Sequence, residues 1–189
     1  MVKQIKQNDF YMENILNKLM MNKLLRKTWN EFQYMISQIE DQATPQQIFE
    51  SFQNWYKKNK KNFSPSLLKI YRIEELINID PKKYPLAHSQ CTPQTLRRFL
   101  HLELSHEDSF VMFLRDQLWE LVVLTIDAEC HRCGTLEMSA LFDVEAQQVV
   151  LECLQCGELQ TLKGNSCKCL NPKILRLAQK KYLEIFGLI

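Results

Sequence analysis

Two cysteine pairs dominate the chemistry available to this chain: Cys130-His131-Arg132-Cys133 and Cys153-Leu154-Gln155-Cys156. The nineteen residues 134–152 between them put the pairs within the spacing at which two C-x2-C turns bind one zinc ion. The thiolate is the ligand, zinc favours a tetrahedral set, and a two-residue gap lets both sulfurs of a pair reach one ion from a tight turn. Gly134 and Gly157 follow the pairs, where a turn of positive φ would want glycine. Reduced core cysteines, or two disulfides in a secreted protein, are the alternatives, and the matched spacing of both pairs favours the metal. Four protein ligands leave no open position for water or substrate, so the expected Zn²⁺ is structural.

The remaining reactive residues form no recognisable catalytic set. Cys167-Lys168-Cys169 could supply a substitute ligand, but a closed set already lies upstream. Cys91 precedes Thr92 and would need a nearby base to act as a nucleophile. Of the four histidines, His101 and His106 are five apart rather than four, no HExxH occurs, and His131 lies inside a cysteine pair with an exposed side chain expected. Adjacent carboxylates such as Glu74-Glu75 and Glu107-Asp108 diverge on a helix and read as solvated surface. No GxxxxGK[ST], GxSxG or GxGxxG is present, and four glycines leave little room for a phosphate cradle. The expectation is a protein that is not an enzyme.

Charge is distributed unevenly behind a net +2. Residues 1–99 carry 16 Lys/Arg against 9 Asp/Glu, residues 100–160 carry 2 against 12, and residues 161–189 carry 6 against 1. A field of that sign selects partners and speeds association; it says nothing about fold. The acidic belt offers Glu107, Asp108, Asp116, Glu120, Asp127, Glu129, Glu137, Asp143 and Glu145 to a basic protein. The best basic cluster, Lys57, Lys58, Lys60 and Lys61 beside Trp55, Tyr56 and Phe63, could grip phosphates and stack bases. Its plainer reading is a helix end whose cations complement the dipole.

Periodicity places these groups on elements. Met12, Ile15, Leu16, Leu19 and Met20 form one helical stripe and Trp29, Phe32, Ile36 and Ile39 another, with Thr28 and Glu31 at capping-box spacing marking a break near residue 27. Thr44-Pro45 with Gln47 opens a helix burying Ile48, Phe49, Phe52, Trp55 and Tyr56. Ser64-Pro65 opens one ending near Asp80-Pro81, with Leu67, Leu68, Tyr71 and Leu76 inward. Thr92-Pro93 opens one carrying Leu96, Phe99 and Leu100, and Ser105 opens one carrying Phe110, Phe113, Leu114 and Leu118. Residues 121–126 fit either the end of that helix or a strand. Residues 136–142 and 148–154 read as paired strands around a turn near 143–147, with a third strand over 158–162. The tail from Asn171-Pro172 reads as an amphipathic helix with Ile174, Leu177, Ala178, Tyr182, Ile185 and Phe186 on one side.

Strand, cysteine turn, hairpin, cysteine turn and strand, over about residues 124–164, resemble the zinc-ribbon module. The resemblance rests on Cys130, Cys133, Cys153 and Cys156 and implies a fold and a structural zinc rather than an activity. The expected architecture is mainly α with a small β zinc ribbon: a helical domain over 1–123, the ribbon over 124–165, and a C-terminal helix over 166–189 docking on the main body. In style, though in no motif, the whole chain resembles bacterial toxin-immunity proteins. That resemblance implies an inhibitor that blocks a basic, nuclease-like secreted toxin through the acidic belt. Seven cysteines, an odd number, without a signal-peptide pattern favour a reducing compartment and a cytoplasmic location. The competing expectation is a nucleic-acid-binding zinc-ribbon protein contacting phosphates through Lys57–Lys61. No apolar run reaches the roughly 18 residues of a membrane span, and the first residues lack a signal-peptide pattern, so no membrane role is expected.

Overall fold

The computed structural model describes residues 23–89, 91–104, 106–167 and 175–189. Among them, six helices precede a five-stranded antiparallel sheet and one short closing helix. The helices are α1 (23–37), α2 (Pro45–Asn59), α3 (Pro65–Ile70), α4 (Ile73–Ile77), α5 (Pro93–Arg97) and α6 (Glu107–Val122). The strands are β1 (Thr125–Ile126), β2 (Met138–Asp143), β3 (Gln148–Glu152), β4 (Leu159–Thr161) and β5 (Leu175–Leu177), followed by α7 (Lys180–Ile185). No helix among the described residues is long and apolar enough to cross a membrane.

Helix starts follow the capping chemistry. The Thr44 hydroxyl accepts from the Gln47 N–H and the Gln47 amide oxygen accepts from the Thr44 N–H, so two donors that a helix start strands are satisfied reciprocally. Thr92 and Thr95 do the same ahead of α5. Thr28 does not mark a start: α1 runs through it, and its hydroxyl donates to the Leu24 carbonyl at 2.9 Å. The helix expected from Ser64 to Asp80 is two helices, because Arg72 adopts φ +55° between α3 and α4. Its guanidinium forks onto the Glu75 carboxylate at 2.6 and 2.7 Å, bridging the first turn of α4. The stripe over 12–20 and the proposed cap Ser105 lie outside the described residues.

Aromatic packing closes the helical body. Phe32, Phe49, Phe52 and Phe110 are fully buried. Phe32 stacks on Trp29 and meets Phe52, Trp55, Phe110 and Phe113 edge to face, the arrangement that aromatic quadrupoles favour.

The sheet continues this core. Residues 121–126 resolve into both alternatives: Leu121 and Val122 finish α6 and Thr125–Ile126 form β1. Alternation sends Leu141 of β2, its partner Val150 of β3, and Leu175 and Leu177 of β5 into the cluster that holds the helical aromatics. Met138, Ala140, Phe142, Val149 and Leu151 face the other way, into a smaller cluster with Cys130, Cys153 and Leu183.

The tail departs from expectation. Over residues 175–189 it is a strand and then a six-residue helix, since Leu175, Arg176 and Leu177 alternate buried, exposed, buried with a period of two; Asn171, Pro172 and Ile174 lie outside the described residues. β5 pairs with β2 at Leu141–Asp143, on the edge that two-residue β1 leaves open beyond Ser139. In α7 the buried side chain is Leu183, Tyr182 stacks on Phe142 at 3.7 Å, and Ile185 is 74% exposed.

Candidate metal centre

Both cysteine pairs occupy hairpin loops at one end of the sheet: residues 127–137 join β1 to β2, and residues 153–158 join β3 to β4. The two turns repeat one backbone pattern. The Gly134 N–H donates to the Cys130 carbonyl and the Gly157 N–H to the Cys153 carbonyl, each at 2.8 Å. The Cys130 N–H donates to the Thr135 carbonyl and the Cys153 N–H to the Glu158 carbonyl, each at 2.9 Å. The glycines take φ +73° and +69°, and a Cβ at Gly157 would meet nothing within 4 Å. Glycine is there for the backbone angle, not for space.

This repeat brings all four sulfurs within 4.8 Å of one another, so that the set can hold a metal ion. Cys130 lies 3.6 Å from Cys156 and Cys133 lies 3.6 Å from Cys153, each contact joining one turn to the other. The first cysteine of each pair is buried and the second reaches toward solvent. All four are free thiols. Their proton affinities diverge. The Thr135 hydroxyl, 3.2 Å from its sulfur, and the Thr135 backbone pull Cys133 down to about 6. For Cys156 the Glu158 backbone N–H favours the thiolate, yet burial and the three neighbouring thiols outweigh it and push the group up to about 12. Four like charges cannot share so small a space without a cation among them.

His131 and Cys167 stand outside the sulfur set. The His131 ring turns to Gln160 and Glu158, and Cys167 is partly buried with its thiol 3.8 Å from the Asn165 carbonyl. Cys169 lies outside the described residues. Cys91 is buried, and loss of solvent together with the nearby Glu120 charge pushes its thiol up to about 12, far from a reactive thiolate.

The acidic belt divides into structural and exposed members. Glu107 is partly buried and accepts the Ser64 N–H at the start of α3. Asp108 accepts the Tyr71 hydroxyl at 3.0 Å, and Asp116 pairs with Arg115 at 2.7 Å. Asp143 is only 2% exposed: one carboxylate oxygen accepts from the N–H groups of Glu145 and Ala146, both at 3.0 Å, and shapes the β2–β3 turn. That occupation removes it from the surface expected for a partner. Asp127, Glu129, Glu137 and Glu145 are exposed. Glu120 is half-buried, and burial first, then the charges of Glu137 and Asp116, raise its carboxyl above the ordinary range. Asp116, Glu120 and Glu137 therefore converge, bringing the end of α6 to the first cysteine loop.

The lysine cluster loses its aromatic partners. Lys57, Lys58, Lys60 and Lys61 are exposed, and Lys60 reaches Glu74 at 3.8 Å. Trp55, Tyr56 and Phe63 are 4–5% exposed, committed to the core and closed to a base. Helical periodicity shows Trp55 and Tyr56 as core residues, whereas the proximity in sequence that suggested stacking carries no such information. Sequence reasoning missed Gln160 and Glu158, which sit at the second turn but contact the first; only the sheet register reveals that reach.

No protein family, curated protein or solved structure matches the chain.

Proposed function

We propose that this chain is a non-catalytic, zinc-stabilised protein-binding module of the toxin-immunity kind, which occupies the cationic cleft of a basic, nuclease-like partner. The zinc assignment rests on the donor set. A tetrahedral ion with Zn–S bonds of about 2.3 Å sets its sulfurs about 3.8 Å apart, and the two sulfur contacts across the turns measure 3.6 Å. Cys130, Cys133, Cys153 and Cys156 would hold the ion, which ties the two hairpin loops together and, with four protein ligands, keeps no site for substrate.

The observation that carries the binding role is the convergence of Asp116, Glu120 and Glu137, with Asp127 and Glu129 exposed on the same cysteine loop. Burial, with the charges of Glu137 and Asp116 beside it, raises the proton affinity of Glu120, so its carboxylate is held at a cost in the free protein that a cationic partner relieves. Lys57, Lys58, Lys60 and Lys61, at and just beyond the end of α2, offer phosphate contacts without stacking surfaces, which favours the protein partner over nucleic acid.

The test pairs metal analysis with inhibition. One zinc per chain is expected, together with inhibition of a basic nuclease domain encoded beside this gene. Association should slow steeply with salt and slow again in Asp127→Lys/Glu137→Lys. Tight, salt-dependent binding to duplex DNA or RNA with no effect on such a nuclease defeats the reading.

A further inference from the structure

The two cysteine loops are unequally supported. Residues 153–158 are a tight connection between strands that pair right up to it, at Glu152 and Leu159. Residues 127–137 are a longer loop that returns to a strand of only two residues, Thr125–Ile126. A longer loop has more conformations to lose, so its cysteines need restraint from elsewhere.

That restraint is visible in one side chain. Gln160 sits on β4, its backbone fixed by the pairing with Leu151 and by a bridge to Ser166. Its side chain leaves its own hairpin and enters the other. The amide oxygen accepts from the His131 N–H at 3.1 Å and lies 2.9 Å from His131 Nδ1, and the amide nitrogen donates to the Glu129 carbonyl at 3.0 Å. An acceptor facing an N–H and a donor facing a carbonyl fix the orientation of the amide, and Nδ1 must carry a proton to share that oxygen. The residues held, Glu129 and His131, flank Cys130 directly.

Packing alone would not place glutamine here. Gln160 is 3% exposed, and its cross-strand partner Leu151 belongs to the apolar cluster that includes Cys130 and Cys153. An apolar residue would extend that cluster without an amide to desolvate, and a buried amide is tolerated only when its hydrogen bonds are made. A second contact runs the same way: Glu158 lies 3.4 Å from His131 Nε2 and 3.6 Å from Arg132, and also accepts the Ser166 hydroxyl at 2.7 Å. Both residues between Cys130 and Cys133 are thus tied to the other hairpin, His131 to Gln160 and Glu158 and Arg132 to Glu158.

We infer that Gln160 is a positioning residue for the metal centre, a clamp across the two hairpins that presets Cys130 and Cys133 for the ion. The inference rests on reading the sulfur set as a zinc site. Side chains that orient metal ligands from behind are worth about 10–100-fold in affinity. Gln160→Met keeps the length and loses both hydrogen-bonding ends. Gln160→Glu keeps shape and acceptor but turns the donor at the Glu129 carbonyl into a second acceptor.

The experiment is competition for Zn²⁺ between the full chain and a chromophoric chelator, with the thiolate-to-metal band of the Co²⁺-loaded chain as the spectroscopic readout. Gln160→Met is expected to weaken binding at least about 10-fold, Gln160→Glu to fall between it and wild type, and Gln155→Met, at an exposed position between Cys153 and Cys156, to match wild type. Helical circular dichroism should stay constant across the series. Wild-type affinity and an unchanged cobalt band in both Gln160 variants overturn the clamp while leaving the zinc assignment standing. A wild-type chain that takes up no zinc removes both.

Discussion

The two faces of the sheet are closed by different means. Toward the helices, Leu141, Val150, Leu175 and Leu177 meet a deep cluster of aromatic and aliphatic side chains. Toward the other side, Met138, Ala140, Phe142, Val149 and Leu151 meet a six-residue helix with one fully buried leucine and two cysteine-bearing loops. Apolar burial suffices for the first face. On the second there is too little of it to fix loops without regular structure, and under the proposed zinc assignment cross-linking through sulfur and metal would substitute for core volume. Fold and metal site are therefore one problem on the outer face and separate problems on the inner one.

The largest expected effect separates them. Cys153→Ser, or removal of the ion by a strong chelator, should abolish metal binding and leave the cysteine loops, β1 and β4 exchanging amide hydrogens rapidly while α2 and α6 stay protected. In zinc-finger peptides the ion supplies roughly 10–16 kcal/mol of folding free energy, and here the shared inner core keeps part of the sheet without it. Loss of protection spread evenly over helices and sheet would show that the two faces fold as one unit and erase the contrast.

The converse perturbation comes next. Phe32→Ala removes a ring with no exposure and five aromatic neighbours, and a cost of about 3–5 kcal/mol in chemical denaturation is expected. Zinc stoichiometry should be unchanged under native conditions. A fall in metal affinity would mean that the helical core sets the loop geometry after all. Thr44→Ala, which breaks the reciprocal cap of α2, should cost about 1 kcal/mol and likewise spare the metal.

The same contrast governs what the sequence discloses. Cys130, Cys133, Cys153 and Cys156 are legible because a metal site is a local pattern of residue type and spacing, and α2 is legible because its cap and apolar stripe are contiguous. The tail misleads because Leu177, Ala178 and Tyr182 fit helical spacing, whereas the open edge of β2 decides the outcome, and an edge is a tertiary fact. Arg72 gives no warning of positive φ, since nothing in its side chain favours that angle. Asp143 reads as surface charge and is buried, because its value lies in two backbone donors of its own turn. Gln160 is invisible in one dimension: its partners stand about thirty residues away, in another hairpin.

The smallest effect probes where the two regions meet. Glu120, near the end of α6, is raised by burial and by Glu137 and Asp116, so the folded chain holds its proton more tightly than the unfolded chain does. Its contribution to stability is therefore complete below the ordinary glutamate value and is lost as pH rises through the higher folded value. Glu152 is raised too, by burial, and Glu74 is lowered, chiefly by the Tyr56 hydroxyl, so the wild-type profile mixes both signs and only a difference isolates one group. Glu120→Gln removes the titration and the repulsion while keeping the shape. Melting curves taken between about pH 5 and 8 should show the variant at or slightly below wild type at the acid end and above it at the alkaline end. If the carboxylate is kept for a cationic partner, the same substitution should slow that partner's association while it stabilises the free protein. Parallel melting profiles would mean that Glu120, Glu137 and Asp116 are screened from one another by solvent, and the junction would then carry no shared field to offer.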